Sequence, residues 1–403
     1  MNPIRRSCQS ALRSSSNLSL LGNGSRRAFS RTSAYRRGAL PSFLEPSSPE
    51  LSVLLQDLNS KVLLPQHLTR DQQKLVFKKD NRAKLEAEPI EITLGDVTLP
   101  LQHLDRNKDI PARWKQLREI IAQSETDQDW ENVLRMVEGF ENAGIHLKDA
   151  WREMVVRKLN HAGRQHLVLK ALQRASTSGL RLRKEGLVWT VLSGVHDKAA
   201  LSDWNLEETR KALSLAEQIV ELMDDKEHLG KFAAKADLRS NPAVIALPLE
   251  LSSALIKAGA PRAPLEKKVK KYASRLMAAL EQNDLAEVLR IQELSAIAQK
   301  THYKTANAQA SALTTIANSM ARAVPLWNGL KTGRAVLGGD MPNASLAQSV
   351  ENQTYEALTT GTQALGRLRT RDGKEIASED GYVGFLQEAL DQCELLHSAS
   401  QKA

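Results

Sequence analysis

Of 403 residues only two are cysteine, and only 4% are aromatic. Cys8 falls in an N-terminal segment expected to be cleaved, so Cys393 is left alone. No internal disulfide and no cysteine-based metal cluster is therefore expected. With so few aromatics, the core must come mainly from Leu, Ala, Val and Ile. Modest glycine (21) and proline (14) counts then favour helices over a β-sandwich. Long apolar runs are scarce as well. The longest, Pro242 to Ala260, carries Pro248, Glu250 and Lys257 and is too short and interrupted to span a bilayer. Chemical signatures are missing too. His161, His166 and His302 show no metal-ligand spacing. The glycine-rich Gly333 to Asp340 is not followed by the Gly-Lys-Ser/Thr of a phosphate loop. There is no nucleophile elbow and no dinucleotide fingerprint. The chain is expected to be no enzyme, with no metal, no cofactor and no small-molecule substrate.

Acid is absent from the N-terminus. Eight arginines precede Gly38, and the first carboxylate is Glu45. This Arg- and Ser-rich stretch, spaced with leucines, reads as a mitochondrial transit peptide over residues 1–38. Arg27-Ala-Phe29-Ser-Arg-Thr32 resembles the presequence motif that is cut in two steps. The formal charge of +9 is largely this segment, since 48 basic and 47 acidic residues remain without its arginines. The expected location is the mitochondrial matrix, with a peripheral place at the inner membrane left open.

What is present is mostly helical periodicity. Residues 39–105 read as an extension. "PSFLEPSSPE" has the composition of a linker, and Thr69 and Gln72 stand at capping-box spacing before a charged helix. Ile90, Ile92 and Leu94, then Gly95-Asp96, then Val97, Leu99 and Leu101, predict a two-residue β-hairpin. From Pro111 onward helices follow closely, with the largest break expected around Gly333 to Asn343. Gly139, inside a helical segment, is expected to be replaceable at little cost.

Shifting the chain by 35 residues places Val133 on Val168, Leu134 on Leu169 and Gly144 on Gly179. Each of Gly144 and Gly179 follows a helix and precedes an apolar residue, as a left-handed C-cap requires. Gly163 caps the helix between them. Ala162-Gly163-Arg164, Leu169, Leu172 and Gly179-Leu180 resemble the pentatricopeptide repeat, a 35-residue helical hairpin. The preceding unit matches through Leu134, Val137, Phe140, Gly144 and Ile145, and the following one through Val191 and Leu192. About 110 residues are covered. The resemblance implies stacked hairpins that bind single-stranded RNA. The positions that would read a base edge fall on Glu153 with Arg183, and on Arg118 with Lys148. These are not the amide and hydroxyl pairs of the family's code, so phosphate contact is expected in place of base reading.

Charge agrees locally. From Asp149 to Lys184 there are nine basic residues against two acids. The candidate phosphate contacts are Arg157, Lys158, Arg164, Lys170, Arg174, Arg181 and Arg183, with Lys267, Lys268 and Lys271 in a second island. Five of six tryptophans lie in the repeat region, where packing is the commoner role than base stacking. The expected fold is all-α: a helical-hairpin solenoid over 106–283, a small N-terminal β-hairpin, and further helices over 284–403. The expected partner is mitochondrial RNA or the mitoribosome, together with proteins. The alternative is a structural scaffold or assembly factor for a respiratory complex, without RNA.

Overall fold

The computed structural model describes residues 39–229, 237–300, 303–368 and 382–399. The transit segment expected over 1–38 lies outside these residues, as does His302. The described chain is mostly helical, with one small antiparallel hairpin.

Helix α1 (Pro49–Asp57) starts under a Ser48 cap with proline at its first position, where the missing N–H costs nothing. It runs through a π-helical turn (Leu58–Leu63) into α2 (Leu64–His67). Helix α3 (Arg70–Phe77) carries the Thr69/Gln72 capping box, and α4 (Arg82–Ala87) follows. Strands β1 (Glu91–Leu94) and β2 (Val97–Pro100) pair with Leu94 opposite Val97, around Gly95-Asp96. Ile92, Leu94, Val97 and Leu99 pack on the protein's own core, which is how a lone hairpin becomes stable.

Three helical hairpins come next. They are α5 (Arg113–Ala122) with α6 (Asp127–Asn142), α7 (Asp149–His161) with α8 (Gln165–Gln173) and α9 (Ala175–Ser178), and α10 (Glu185–Ala200) with α11 (Leu206–Leu222). Helix α7 packs on α10, and α8 packs on both α6 and α11. Gly144, Gly163 and Gly179 have φ of +73°, +72° and +69° at the ends of these helices, where a Cβ would be strained. Helices α8 and α9 are parted at Arg174, whose φ is −110°.

The remainder comprises α12 (Pro242–Lys257), α13 (Arg262–Gln282), α14 (Leu285–Val288), α15 (Ile291–Ala298), α16 (Ala306–Leu337), α17 (Ala344–Arg367) and α18 (Tyr382–Ala399). Helix α12 is buried over nearly its whole length, between α11, α13 and α16. This explains its continuous apolar sequence.

Three expectations need correction. The supposed linker is a strap laid along α6. Asn132 accepts from Leu44 N–H at 2.7 Å and donates to Leu44 C=O at 3.0 Å, while Ser47 N–H donates to Asp129. Gly139 is not freely replaceable, because a Cβ there would stand 2.8 Å from Pro41 Cγ and 3.0 Å from Leu63 Cδ1. The missing side chain leaves room for Pro41 of the strap against α6. The break expected from Gly333 begins only at Gly338, since α16 continues through Pro325 and Gly333 to Leu337. A Cβ at Gly329 would meet Ala246 C=O at 3.1 Å, so glycine serves close helix packing here rather than a turn.

Candidate nucleic-acid interface

The first basic island lies on α7, α8 and the turns around α9. Its cations do not stand alone. On α6, Asp127, Glu131 and Glu138 follow one face, at spacings of four and seven residues. Arg164 pairs with Asp127, Lys170 with Glu131 at 2.6 Å, and Arg174 with Glu138 at 3.5 Å. Beyond them Arg181 reaches Glu227 at 3.3 Å, and Lys184 reaches Asp149 at 3.4 Å. Arg152, between Asp149 and Glu141, is likewise committed. A one-dimensional count of nine against two misses this, because the balancing acids belong to the preceding helix.

Lys158 and Arg183 are exposed, and among the described residues no carboxylate stands within ion-pair distance of either. Arg157 is half-buried on α7. In the second island, on α13, Lys268 pairs with Glu217 at 2.7 Å, whereas Lys267 and Lys271 are exposed without such a partner among the described residues. The hollow beside Gly179, lined by Arg181, Arg183 and Lys184, holds only about 20 Å³.

Tryptophans serve packing for the most part. Trp130, Trp189 and Trp204 of the repeat region are buried, as is Trp327 on α16. Trp114 and Trp151, half-buried, stack at 5.1 Å across α5 and α7. Arg322 lies over the Trp189 ring at 4.8 Å and pairs with Glu185, tying α16 to α10.

Sequence spacing shows no metal-ligand pattern, yet the fold gathers three side chains of ligand type from distant segments. Ligand atoms of His196 (α10), Glu250 (α12) and Cys393 (α18), all buried, lie within 4.8 Å of one another. The geometry is a hydrogen-bonded network. His196 Nε2 is 3.1 Å from Glu250 Oε1, which also accepts from Asn328 Nδ2 at 2.6 Å. Asn328 Oδ1 meets His397 Nε2 at 2.8 Å, and His196 Nδ1 faces Asp197 at 3.2 Å. Burial opposes protonation of His196, but Glu250 and Asp197 raise its pKa well above the ordinary value. Burial lifts the Cys393 thiol to about 11 and, with Lys257 and Lys331 nearby, lowers His397 to about 3. Cys393 is thus a neutral thiol and His397 a neutral imidazole. A divalent ion would have to replace the His196–Glu250 hydrogen bond. The network as it stands fastens α18 to α10, α12 and α16.

A different concavity carries cations that the islands do not include. Between α3 and the segment after β2 lies a hollow of about 520 Å³, lined by Arg70, Lys74, Lys78, Lys79 and Arg106 and by one acid, Asp105. Sequence spacing gave no sign of it, since Arg106 is 28 residues from Lys78.

Comparison with known proteins assigns the chain to a family. A family model described as mitochondrial ribosomal protein mS27 matches residues 27–382. A curated relative, the small ribosomal subunit protein mS27 of Neurospora crassa, is 28% identical over 191 residues, which are 47% of this chain and 48% of the relative. The chain thus spans about half the length of that relative. With most of its length matched by the family model, the chain belongs to the mitochondrial ribosomal protein mS27 family.

Proposed function

We propose that the protein is a structural component of the small subunit of the mitochondrial ribosome, acting in the matrix as a helical scaffold that contacts ribosomal RNA and neighbouring proteins. The observation that carries this is the family match across residues 27–382, read together with the Neurospora relative's name as a small-subunit protein. The reading assigns it no reaction. The resemblance to the pentatricopeptide repeat enters here as architecture. The hairpins α5–α6, α7–α9 and α10–α11 stack as such units do, with α7 on α10 and α8 on α11.

RNA contact in this reading is electrostatic and follows backbone phosphates. Lys158, Arg183, Lys267 and Lys271 are its first contacts from the two islands, being exposed and free of carboxylates among the described residues. Arg157, Arg164, Lys170, Arg174, Arg181 and Lys268 contribute where a phosphate displaces or shares their present partner. Capture of a tagged chain from mitochondria, with and without RNase, tests the proposal. Small-subunit proteins and small-subunit RNA are expected to come with it, and RNase should shed the partners held only through RNA. Capture of respiratory-complex subunits in place of ribosomal proteins would overturn the reading.

A further inference from the structure

We infer that the hollow between α3 and the segment after β2 is a binding site for one nucleotide of an RNA strand, resting on the ribosomal reading above. Its volume of about 520 Å³ is within the range of pockets that hold small ligands, roughly 300–1,000 Å³. Five cationic side chains line it against the single carboxylate of Asp105.

The cations are available in a way that the carboxylate-paired ones of the first island are not. Lys74 pairs with Asp71 on its own helix, an exposed pair of little strength. Among the described residues, Arg70, Lys78, Lys79 and Arg106 have no carboxylate within ion-pair distance. Asp105, the one acid, already accepts from the backbone N–H of Asn107. The concavity therefore holds a net positive charge that the carboxylates among the described residues do not balance, and a polyanion is its natural complement.

The walls are held in place. Leu104 N–H donates to Val76 C=O at 3.0 Å, and both residues are buried, so the segment carrying His103, Asp105 and Arg106 is fastened to the end of α3. Phe77 packs its ring against the core, and the Arg106 guanidinium lies over that ring at 4.3 Å. A guanidinium held flat by an aromatic ring is a preformed plane on which a base stacks. His103 Nδ1, also lining the hollow, is shielded from solvent without a hydrogen-bond partner. In this arrangement the phosphate lies on Lys78, Lys79 and Arg70, and the base on Arg106.

The test is RNA binding by the full chain, read as anisotropy of a labelled mixed-sequence single-stranded RNA across a salt series. For K78Q/K79Q/R106Q the slope of log affinity against log salt should fall by about 0.7, for the one phosphate the site holds, and affinity at fixed salt should drop further with the lost stacking plane. R106K keeps the charge but loses the plane, so affinity should drop about tenfold at fixed salt with the slope unchanged. K211Q, which removes a cation of α11 already paired with Glu207 and Glu208 and outside every candidate contact, should leave the slope near that of the wild type. Retention of the full slope by the triple variant overturns the proposal. So does binding of polyglutamate as tight as RNA at equal salt, which would mark a docking site for an acidic protein. Should the triple variant fail to fold, cross-linking of 4-thiouridine RNA to the wild type decides. Adducts within residues 70–106 support the site, and adducts confined elsewhere overturn it. Subunit capture reads the ribosomal assignment separately, so an intact ribosomal association with no effect of these variants rejects only the pocket.

Discussion

Lys170 Nζ lies 2.6 Å from Glu131 Oε1, joining α8 to α6 across the face where the sequence concentrates its cations. The contact sits in a row with Arg164–Asp127 and Arg174–Glu138. The row therefore helps stack one hairpin on the next. Both side chains of the central pair keep some solvent access, which holds its worth to under about 1 kcal/mol. A double-mutant cycle of K170Q and E131Q, read by urea denaturation, is expected to give a coupling in that range. A coupling of zero at low salt would show that the row adds nothing to stacking.

Replacement of Gly139 by Val should destabilise strongly. The new side chain would drive into Pro41 and Leu63, and overpacking of this kind costs about 1–3 kcal/mol. Gly144→Val has open space around it and meets only the left-handed backbone, at about 1–2 kcal/mol. Trimming Pro41 to Ala should rescue Gly139→Ala in part and leave Gly144→Val untouched. Thermal melts of these variants check the strap directly. A wild-type melt for Gly139→Val would refute the contact.

Acid should loosen the same strap. Burial disfavours the Asp129 carboxylate, but hydrogen bonds from Ser47 and Thr126 more than offset this and hold its pKa at about 2. The folded value lies below the unfolded 3.8, so the unfolded chain binds more protons as pH falls. The stabilisation is complete above about pH 4 and fades as pH drops toward 2, in total about 2 kcal/mol. Asp129→Asn should lose that amount at neutral pH and show a flatter stability profile below pH 4. An unchanged acid profile for the variant would contradict the assignment.

Truncating one half of the His196–Glu250 pair leaves the other polar group buried without its partner. His196→Ala should therefore cost about 3–5 kcal/mol, whereas replacing both residues by Leu costs less. Proteolysis near α18 reports the effect, because the network through Asn328 and His397 fastens that helix. Equal protease resistance of His196→Ala and wild type would show that α18 is held by apolar packing alone.

Local chemistry was legible in the sequence, and long-range pairing was not. Gly95-Asp96 marked the hairpin and Thr69/Gln72 the capping box because those signals are completed within a few residues. The strap was misread because Pro and Ser at 41–48 look the same in a linker and in a segment fastened by Asn132 and Asp129, some 80–90 residues away. Gly333 suggested a break since a sequence does not show whether a glycine bends the chain or admits a neighbouring helix, here α12 through Leu249. The basic island was counted along the chain, whereas Glu131 and Glu138 balance it across a helix interface. The hollow at Lys78 and Arg106 arises only when the segment after β2 folds back on α3.

Ribosomal membership is the central claim, and sedimentation tests it most directly. Mitochondrial lysate separated on a sucrose gradient, probed for this chain, should place it in the small-subunit peak and in assembled ribosomes, at about one copy per subunit. Chelation of magnesium, which parts the subunits, should move the ribosome-bound fraction into the small-subunit peak and nowhere else. Recovery of the chain mainly in light fractions, or with the large subunit after chelation, would contradict the account.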